Sequence, residues 1–228
     1  MTETSTPTKS ACPIDHRSRS GFFSSFSRQN TSSDSNLNAQ GCTSDTLDKS
    51  STQTPTSSQR ISLDNQRDVS SIPRWSSTPS DYWVYPSEQQ FFNALKRKNH
   101  EASETDMRSV VHIHNAVNER AWSEVLKWER LHESTNKCAV KLKSFRGRPG
   151  DLSFKARMYG LLGYTYPFDR HDWIIDRCGK EVRYIIDFYS GKPDSRNPHS
   201  VSFYIDARPA LTIEGVVDRI RMILASWN

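Results

Sequence analysis

The stretch EVRYIIDFY, residues 181–189, constrains the fold more than any other part of this 228-residue chain. Its β-branched and aromatic residues favour a strand, and so do those of SVSFYID, residues 200–206. Between them, residues 191–198 contain one glycine and two prolines, a composition typical of turns. The sequence therefore predicts that the two segments pair as antiparallel strands.

Helical patterns lie on both sides of this strand pair. Ser87 precedes Gln90 at the spacing of a capping box, and Phe91, Phe92 and Leu95 fall on one face of the helix that would follow. This pattern predicts a helix of about three turns.

Three further helical stretches follow the first one. One is predicted over residues 106–111, and another begins near Asn115 as its N-cap and continues to Leu131. The chain ends with a predicted helix over residues 213–226. The buried stripe predicted for this last helix consists of Val216, Val217, Ile220 and Leu224.

Two segments between these elements are predicted to be loops. The first is the basic stretch 141–149, and the second is the aromatic, charged and proline-broken stretch 163–173. Between them, Ser153 is positioned to cap a short helix that Gly163 would end. The expected fold class is α+β: a mainly helical single domain with a small antiparallel sheet.

The first 80 residues differ sharply in composition from the rest. They contain 32 Ser or Thr and few aromatic residues, so they cannot bury enough apolar surface to offset the entropy lost on ordering. Residues 1–80 are therefore predicted to form a disordered Ser/Thr-rich arm. Residues 81–228 contain all eight tyrosines and are predicted to form the folded, functional domain.

Charge and cysteine content argue against several classes of protein. The net charge is +5, but no clustered basic stripe of the kind that binds nucleic acid is visible. The mild positive bias could still favour an anionic membrane surface or an acidic ligand. The four cysteines include no C-x-x-C pair and predict neither a disulfide framework nor a zinc site.

Targeting signals and standard catalytic motifs are not evident either. No apolar run approaches the roughly 18 residues that span a bilayer, and neither a secretory signal nor an amphipathic presequence is visible, so a soluble chain is expected. No motif typical of α/β-hydrolases, P-loop NTPases or dinucleotide-binding proteins occurs. A Ser-His-Asp triad stays compatible with the sequence.

His114, in the stretch VHIHN, is the first candidate for a functional side chain. A neutral imidazole can bind haem iron as an axial ligand, but a histidine here can equally be a capping or core residue. His112 and His114 could chelate a metal only on a strand, where both would face the same side. Because no carboxylate or cysteine sits at zinc-like spacing, zinc is disfavoured.

Two other segments carry weaker candidates. In FDRHDW, residues 168–173, Arg170 could bind a carboxylate through two hydrogen bonds, and a neighbouring aspartate could orient His171. A salt-bridged structural turn explains the same residues equally well. Cys12, followed by Pro13, could ligate haem iron as a thiolate, or be a chance dipeptide in the arm.

Taken together, the ordered motifs resemble those of the cytochrome c haem lyase (holocytochrome-c synthase) family, whose members act on cytochrome c or c1. The resemblance covers nearly all of residues 70–228. The matching segments are SIPR (71–74), WVYPSEQ (83–89), HIHN (112–115), NE (118–119), Trp122, WE (128–129), LLGY (161–164), PFDRHDW (167–173), VRYIID (182–187) and DARPAL (206–211).

The resemblance implies a lyase that binds haem b through His114 as an axial iron ligand. Apocytochrome c, apocytochrome c1 or both would supply a CXXCH segment, whose thiols form thioether bonds with the haem vinyl groups. Arg170 and His171 would make haem-propionate or site-shaping contacts. The dipeptide of Cys12 and Pro13 resembles the family's Cys-Pro haem-regulatory motifs, in which the thiolate ligates iron transiently.

The resemblance also implies a location in the mitochondrial intermembrane space, in peripheral contact with the inner membrane. One departure concerns the substrate. Many members carry Gly-Trp after the first folded helix, where this chain has Asn99 and His100. Since that tryptophan is thought to contact haem and substrate, cytochrome c1 is an alternative to cytochrome c.

Two other functions compete with the lyase interpretation. A non-catalytic haem carrier or haem sensor would bind haem through His114 or Cys12 and form no thioether bond. A partner-binding adaptor would use the Ser/Thr-rich arm as its interaction segment and bind no haem.

Overall fold

The computed structural model describes residues 53–57, 59–76, 81–98, 100–133, 138–148, 150–191 and 202–227. Within them, the strands are β1 (Val69–Pro73), β2 (Tyr82–Val84), β3 (Lys141–Gly147), β4 (Asp169–Arg177), β5 (Lys180–Ser190) and β6 (Phe203–Pro209). The helices are α1 (Glu88–Arg97), α2 (Met107–Glu129), α3 (Phe154–Leu161) and α4 (Ile213–Ala225), with short 3₁₀ turns at Glu104–Asp106 and Arg130–His132.

A four-stranded antiparallel sheet in the order β3-β4-β5-β6 forms the centre of the molecule. The predicted pairing of the two β-rich segments is confirmed, since β5 pairs with β6 along its C-terminal half. A two-residue turn joins β4 to β5, and Cys178 and Gly179 both have positive φ, 53° and 85°. Positive φ at both positions is typical of the hairpin turn whose twist matches its strands.

One face of this sheet packs against the long helix α2 and forms the main hydrophobic core. Alternate residues of β4 and β5 supply Trp173, Ile175, Tyr184 and Ile186, all nearly inaccessible to solvent. Val125 of α2 packs into the same cluster. The other face of the sheet carries buried charged side chains, so both faces are covered.

A smaller unit packs on α2 next to the sheet. β1 pairs antiparallel with β2, and α1 begins at a capping box formed by Ser87 and Gln90, as predicted. Leu63, Phe92 and Met107 form its hydrophobic cluster. Residues 59–76, which the sequence placed in the arm, thus contribute a strand and a buried leucine to the folded part.

The prediction of a mainly helical domain with a small sheet was wrong, although the α+β class holds. The described residues form six strands and four helices, with 28% in strands and 39% in helices. The segments 141–149 and 163–173, predicted as loops, contribute β3 and the start of β4. Charged residues that are buried by pairing occupy the second face of the sheet, so β4 lacks the apolar-polar alternation of a strand with one solvated face.

Three smaller predictions were also wrong. The stretches 106–111 and 115–131 belong to one continuous helix, α2, so Asn115 is no N-cap. The stripe predicted as buried in α4 faces outward, and Asp218 of that helix is buried instead. Cys138 and Cys178, for which no disulfide was predicted, form one. Their Cα atoms lie 5.7 Å apart because the β4–β5 turn brings Cys178 beside the start of β3.

Candidate functional site

His114 lies in the interior of α2 and not at the beginning of a helix. Its side chain is half-buried, and its Nδ1 lies 3.1 Å from Oδ1 of Asn115. The Asn115 amide in turn donates to Asp68, 3.1 Å away, just before β1. Because an amide oxygen only accepts hydrogen bonds, Nδ1 must carry the ring proton and donate it to Asn115. The Nε2 lone pair is then left for a ligand.

Two aromatic rings enclose the His114 imidazole on the side of α1 and β2. The rings of Tyr85 and Phe91 contact it edge to face, with centroids 5.8 and 5.3 Å away. Both follow from the capped start of α1, because Tyr85 immediately precedes the capping segment and Phe91 lies in the first turn. These contacts limit the orientations that the imidazole can adopt.

Glu119, little more than one turn after His114 on α2, connects this helix to the β1–β2 strand pair. Its carboxylate accepts hydrogen bonds from the Tyr85 hydroxyl at 3.0 Å, from the Ser71 amide at 2.9 Å and from the Ser71 hydroxyl. Burial, together with the Glu119 charge, raises the pKa of Tyr85, so its hydroxyl stays a donor. This network fixes the position of the Tyr85 ring beside His114.

Burial lowers the pKa of His114 below its ordinary value of 6.5. The hydrogen bond with Asn115 opposes this shift, and the charge of His171 adds to it. The imidazole is therefore neutral at neutral pH, the form in which histidine coordinates a metal.

His171 lies on β4, on the sheet face that packs against α2. Its Nε2 is 3.1 Å from the Asp169 carboxylate, and its ring contacts Phe188 edge to face at 5.2 Å. Its Nδ1 is buried and has no hydrogen-bond partner among the described residues. The fold thus brings His171 near His114, although 57 positions separate them in the sequence.

Arg170 projects from the opposite face of the sheet, since successive strand residues alternate. Its guanidinium pairs with Asp172 at 2.9 Å, and Asp172 also pairs with Arg148 at 2.9 Å. Arg170 is buried in this cluster. His171 therefore lies within electrostatic reach of His114 on the sheet face toward α2, and Arg170 lies on the opposite face.

An apolar cleft of about 230 Å³ runs along α2 beside the His114 turn. Its lining consists of Ile113, Ala116, Val117, Arg120, Phe203 and Ile205. Pockets that enclose a drug-sized ligand usually measure about 300–1,000 Å³, so a large flat ligand would protrude from this cleft. Ring contacts of Phe168 with Phe203 and with Phe188 connect the cleft to His171.

The remaining candidates give no second site. Cys12 and Pro13 lie outside the described residues. Within the described part, no cluster of three or more His, Cys, Asp or Glu could hold a metal ion. None of the described helices is long and apolar enough to cross a bilayer. Sequence reasoning missed Asp68 and the role of Glu119, because no local pattern links either to His114.

Comparison with known proteins gives a consistent picture. The family model described as cytochrome c/c1 heme lyase matches residues 1–223. A "putative holocytochrome-c1 synthase" of Chaetomium thermophilum is 46% identical over 170 residues, which is 65% of this chain and 59% of that protein. The protein of the same name in Schizosaccharomyces pombe is 45% identical over 162 residues, 69% of this chain and 74% of its own length.

A human relative, "holocytochrome c-type synthase", is 43% identical over 182 residues. The match covers 77% of this chain and 66% of the human protein. The chain therefore spans about three fifths to three quarters of the length of these relatives. No solved structure matches it.

Proposed function

Because the chain belongs to the cytochrome c/c1 haem lyase family, we propose that it acts as a holocytochrome-c synthase. It attaches haem covalently to apocytochrome c, apocytochrome c1 or both, and haem b is its substrate. The observation that carries this proposal is the half-buried, neutral His114 imidazole, oriented through Nδ1 by Asn115.

His114 is the axial ligand of the haem iron in this proposal. An imidazole whose one nitrogen is held by a neighbouring oxygen presents the other nitrogen in a fixed direction, as histidine ligands of metals commonly do. The lowered pKa of His114 keeps this nitrogen unprotonated at neutral pH. Tyr85 and Phe91 support the ring from the other side.

The reaction depends on placing the cysteine thiols against the haem vinyl groups more than on acid or base catalysis. Each thioether forms when a cysteine S–H adds across a vinyl C=C bond. The sulfur atom becomes bonded to the carbon next to the porphyrin ring, and the hydrogen atom is transferred to the terminal carbon. Nothing is oxidised or reduced overall. When haem is held through its iron, a CXXCH segment placed against it has a high effective concentration of thiols at the vinyl groups.

The other sequence candidates take supporting roles. His171 lies on the sheet face that packs against α2, within electrostatic reach of His114. We assign it a site-shaping contact with the haem. Arg170, paired with Asp172 on the opposite face, would shape the site by holding β4 in place. Cys12 with Pro13 remains proposed as a transient haem ligand. The intermembrane space, with peripheral contact to the inner membrane, is the proposed location.

Co-expression in a bacterium without its own cytochrome c maturation system tests the proposal. One strain carries apocytochrome c and another the soluble part of apocytochrome c1, each with the wild-type chain, His114→Ala or His112→Ala. His112 is an exposed neighbour on the same helix and serves as the matched control. Covalent haem is read from denaturing gels stained for haem.

Wild type and His112→Ala are expected to yield covalent haem on at least one apocytochrome, and His114→Ala to abolish it. The apocytochrome that is labelled identifies the substrate. Equal labelling with His114→Ala would refute the ligand assignment. A wild-type chain that binds haem, as judged by its Soret band, yet labels neither apocytochrome would establish the haem carrier instead.

A further inference from the structure

Helix α4 is attached to the protein by its polar side. Asp218, only 2% exposed, pairs with His132 at 3.0 Å and lies 3.6 Å from Arg177. Gly215 packs so closely that a Cβ there would lie 2.0 Å from the Ala210 carbonyl oxygen. The helix therefore presents its other side to solvent.

That outward side is a continuous apolar stripe. Ile213 is 90% exposed and Trp227, just beyond the helix, is 84% exposed. The exposed members between them are Val216, Val217, Ile220, Ile223 and Leu224. At 3.6 residues per turn these side chains fall on one face. A helix that buries aspartate and exposes its apolar stripe has the reverse of the usual orientation in a globular protein.

Helix α3 extends this apolar area. A cleft of about 360 Å³ separates the two helices. It is lined by Phe154 and Met158 of α3, by Leu211 just before α4 and by Arg219 of α4. The exposed apolar and aromatic residues on or after α3 are Phe154, Met158, Tyr159, Leu161, Leu162, Tyr164 and Tyr166. We call the outward sides of α3 and α4, with these residues, the α3–α4 surface. Contiguous apolar areas of this kind mark sites that contact proteins or membranes.

The charges around the stripe are positive. Arg219 and Arg221 lie on opposite sides of it, each about 100° from its centre at 3.6 residues per turn. Arg221 is exposed and forms no salt bridge with a described carboxylate, whereas Arg219 is half-buried and donates a hydrogen bond to the Pro209 carbonyl. Exposed Arg157 lies on α3. The nearby carboxylates are paired within the protein: Asp206 pairs with Lys155 and Arg208, and Glu214 of α4 pairs with Lys180.

From this geometry we propose that the α3–α4 surface docks on an anionic phospholipid bilayer, an inference that rests on the peripheral membrane contact proposed above and assigns the surface that makes it. The aliphatic stripe enters the boundary between headgroups and acyl chains, and the exposed Arg221 and Arg157 contact lipid phosphates. An apolar stripe bordered by basic residues is the pattern of helices that lie in a membrane interface. Tyrosine and tryptophan at the margins, such as Tyr164 and Trp227, suit the headgroup level.

A flotation experiment with the full chain tests this proposal. The protein is mixed with vesicles of phosphatidylcholine alone, or of phosphatidylcholine and phosphatidylglycerol in equal parts, and centrifuged in a density gradient. The stripe variant is Ile220→Gln/Leu224→Gln. The matched control, Ile61→Gln/Val69→Gln, removes two exposed aliphatic side chains outside the α3–α4 surface.

The wild-type chain is expected to float with the mixed vesicles, more weakly with phosphatidylcholine alone, and less as salt is raised. The stripe variant should partition about tenfold less into either kind of vesicle. The control should float like the wild type. Arg221→Gln should lose about fivefold on mixed vesicles and little on neutral ones.

A wild-type chain that stays at the bottom with both vesicles, or a stripe variant that floats like the wild type, would overturn the proposal. The proposal would also be overturned if the wild-type chain does not float and light scattering shows it to be a dimer, while the stripe variant is a monomer. That outcome would make the surface an interface between copies. Since no measurement here involves haem, the result is separate from the test of haem attachment.

Discussion

The buried ion pair at the end of α2 allows a sharp prediction about stability. Glu129 and Arg177 are each only 4% exposed. The Glu129 carboxylate accepts two hydrogen bonds of 2.7 Å from the Arg177 guanidinium and one of 2.5 Å from the Tyr184 hydroxyl. The perturbation is Glu129→Gln, which keeps the shape of the side chain and removes its charge.

Removing one partner of a buried pair costs about 3–5 kcal/mol, because the other charge stays buried without compensation. Burial alone would lower the pKa of Arg177, but the hydrogen bond and charge of Glu129 raise it. Arg177 would retain Asp218 at 3.6 Å and half-exposed Glu214 at 3.5 Å. We therefore expect the lower end, a loss of about 3 kcal/mol in the free energy of unfolding.

Urea unfolding followed by tryptophan fluorescence measures this loss. In a domain of this size, about 3 kcal/mol also corresponds to a fall in Tm of roughly 6–12 °C. The matched control is Glu124→Gln on the same helix, whose partners Arg120 and Lys127 are largely exposed, so it should cost about 1 kcal/mol or less. If Glu129→Gln costs no more than Glu124→Gln, the reasoning about burial is refuted.

Three further predictions concern other parts of the fold. Because burial lowers the pKa of His114, the unfolded chain takes up a proton on this imidazole at a higher pH than the folded chain does. The stability that the neutral imidazole contributes is therefore complete above pH 6.5, the ordinary value, and is lost as the pH falls through the folded pKa. The urea midpoint of His114→Gln should depend less on pH in this range than that of the wild type. Non-reducing digestion should yield a peptide pair linked through Cys138 and Cys178. Because this bridge closes a loop of 40 residues, the double Ser variant should be less stable by about 4 kcal/mol on the chain-entropy model; absence of the linked pair would contradict the structure. Ser87→Ala should cost about 1 kcal/mol through loss of the helix cap, and Ser87→Asp much less, as measured by urea unfolding.

Local signals in the sequence were sufficient for several elements. The capping box of Ser87 and Gln90, the cap at Ser153 and the β5–β6 pair depend on residues close together in the chain, and all three are present in the structure. β4 was missed for a physical reason. Both faces of the sheet are covered, so polar residues such as Asp172 are buried by pairing with Arg148, and the apolar-polar alternation of a half-solvated strand disappears.

For the candidate site, the sequence identified His114 and His171 as separate histidines but could not relate them. Their proximity, the Asn115 contact with Asp68 and the position of Arg170 on the opposite sheet face result from strand register and helix packing. A one-residue change of register would exchange the faces of Arg170 and His171.

The sequence by itself determined the family, the helix caps at Ser87 and Ser153 and the central strand pair, because ordered motifs and local hydrogen bonds depend on neighbouring residues. Only the tertiary structure decided which face of each element is buried. In α4, Asp218 is buried because His132 and Arg177, distant in sequence, supply its partners. Periodicity records which residues share a face, but the partner that covers that face comes from elsewhere in the fold.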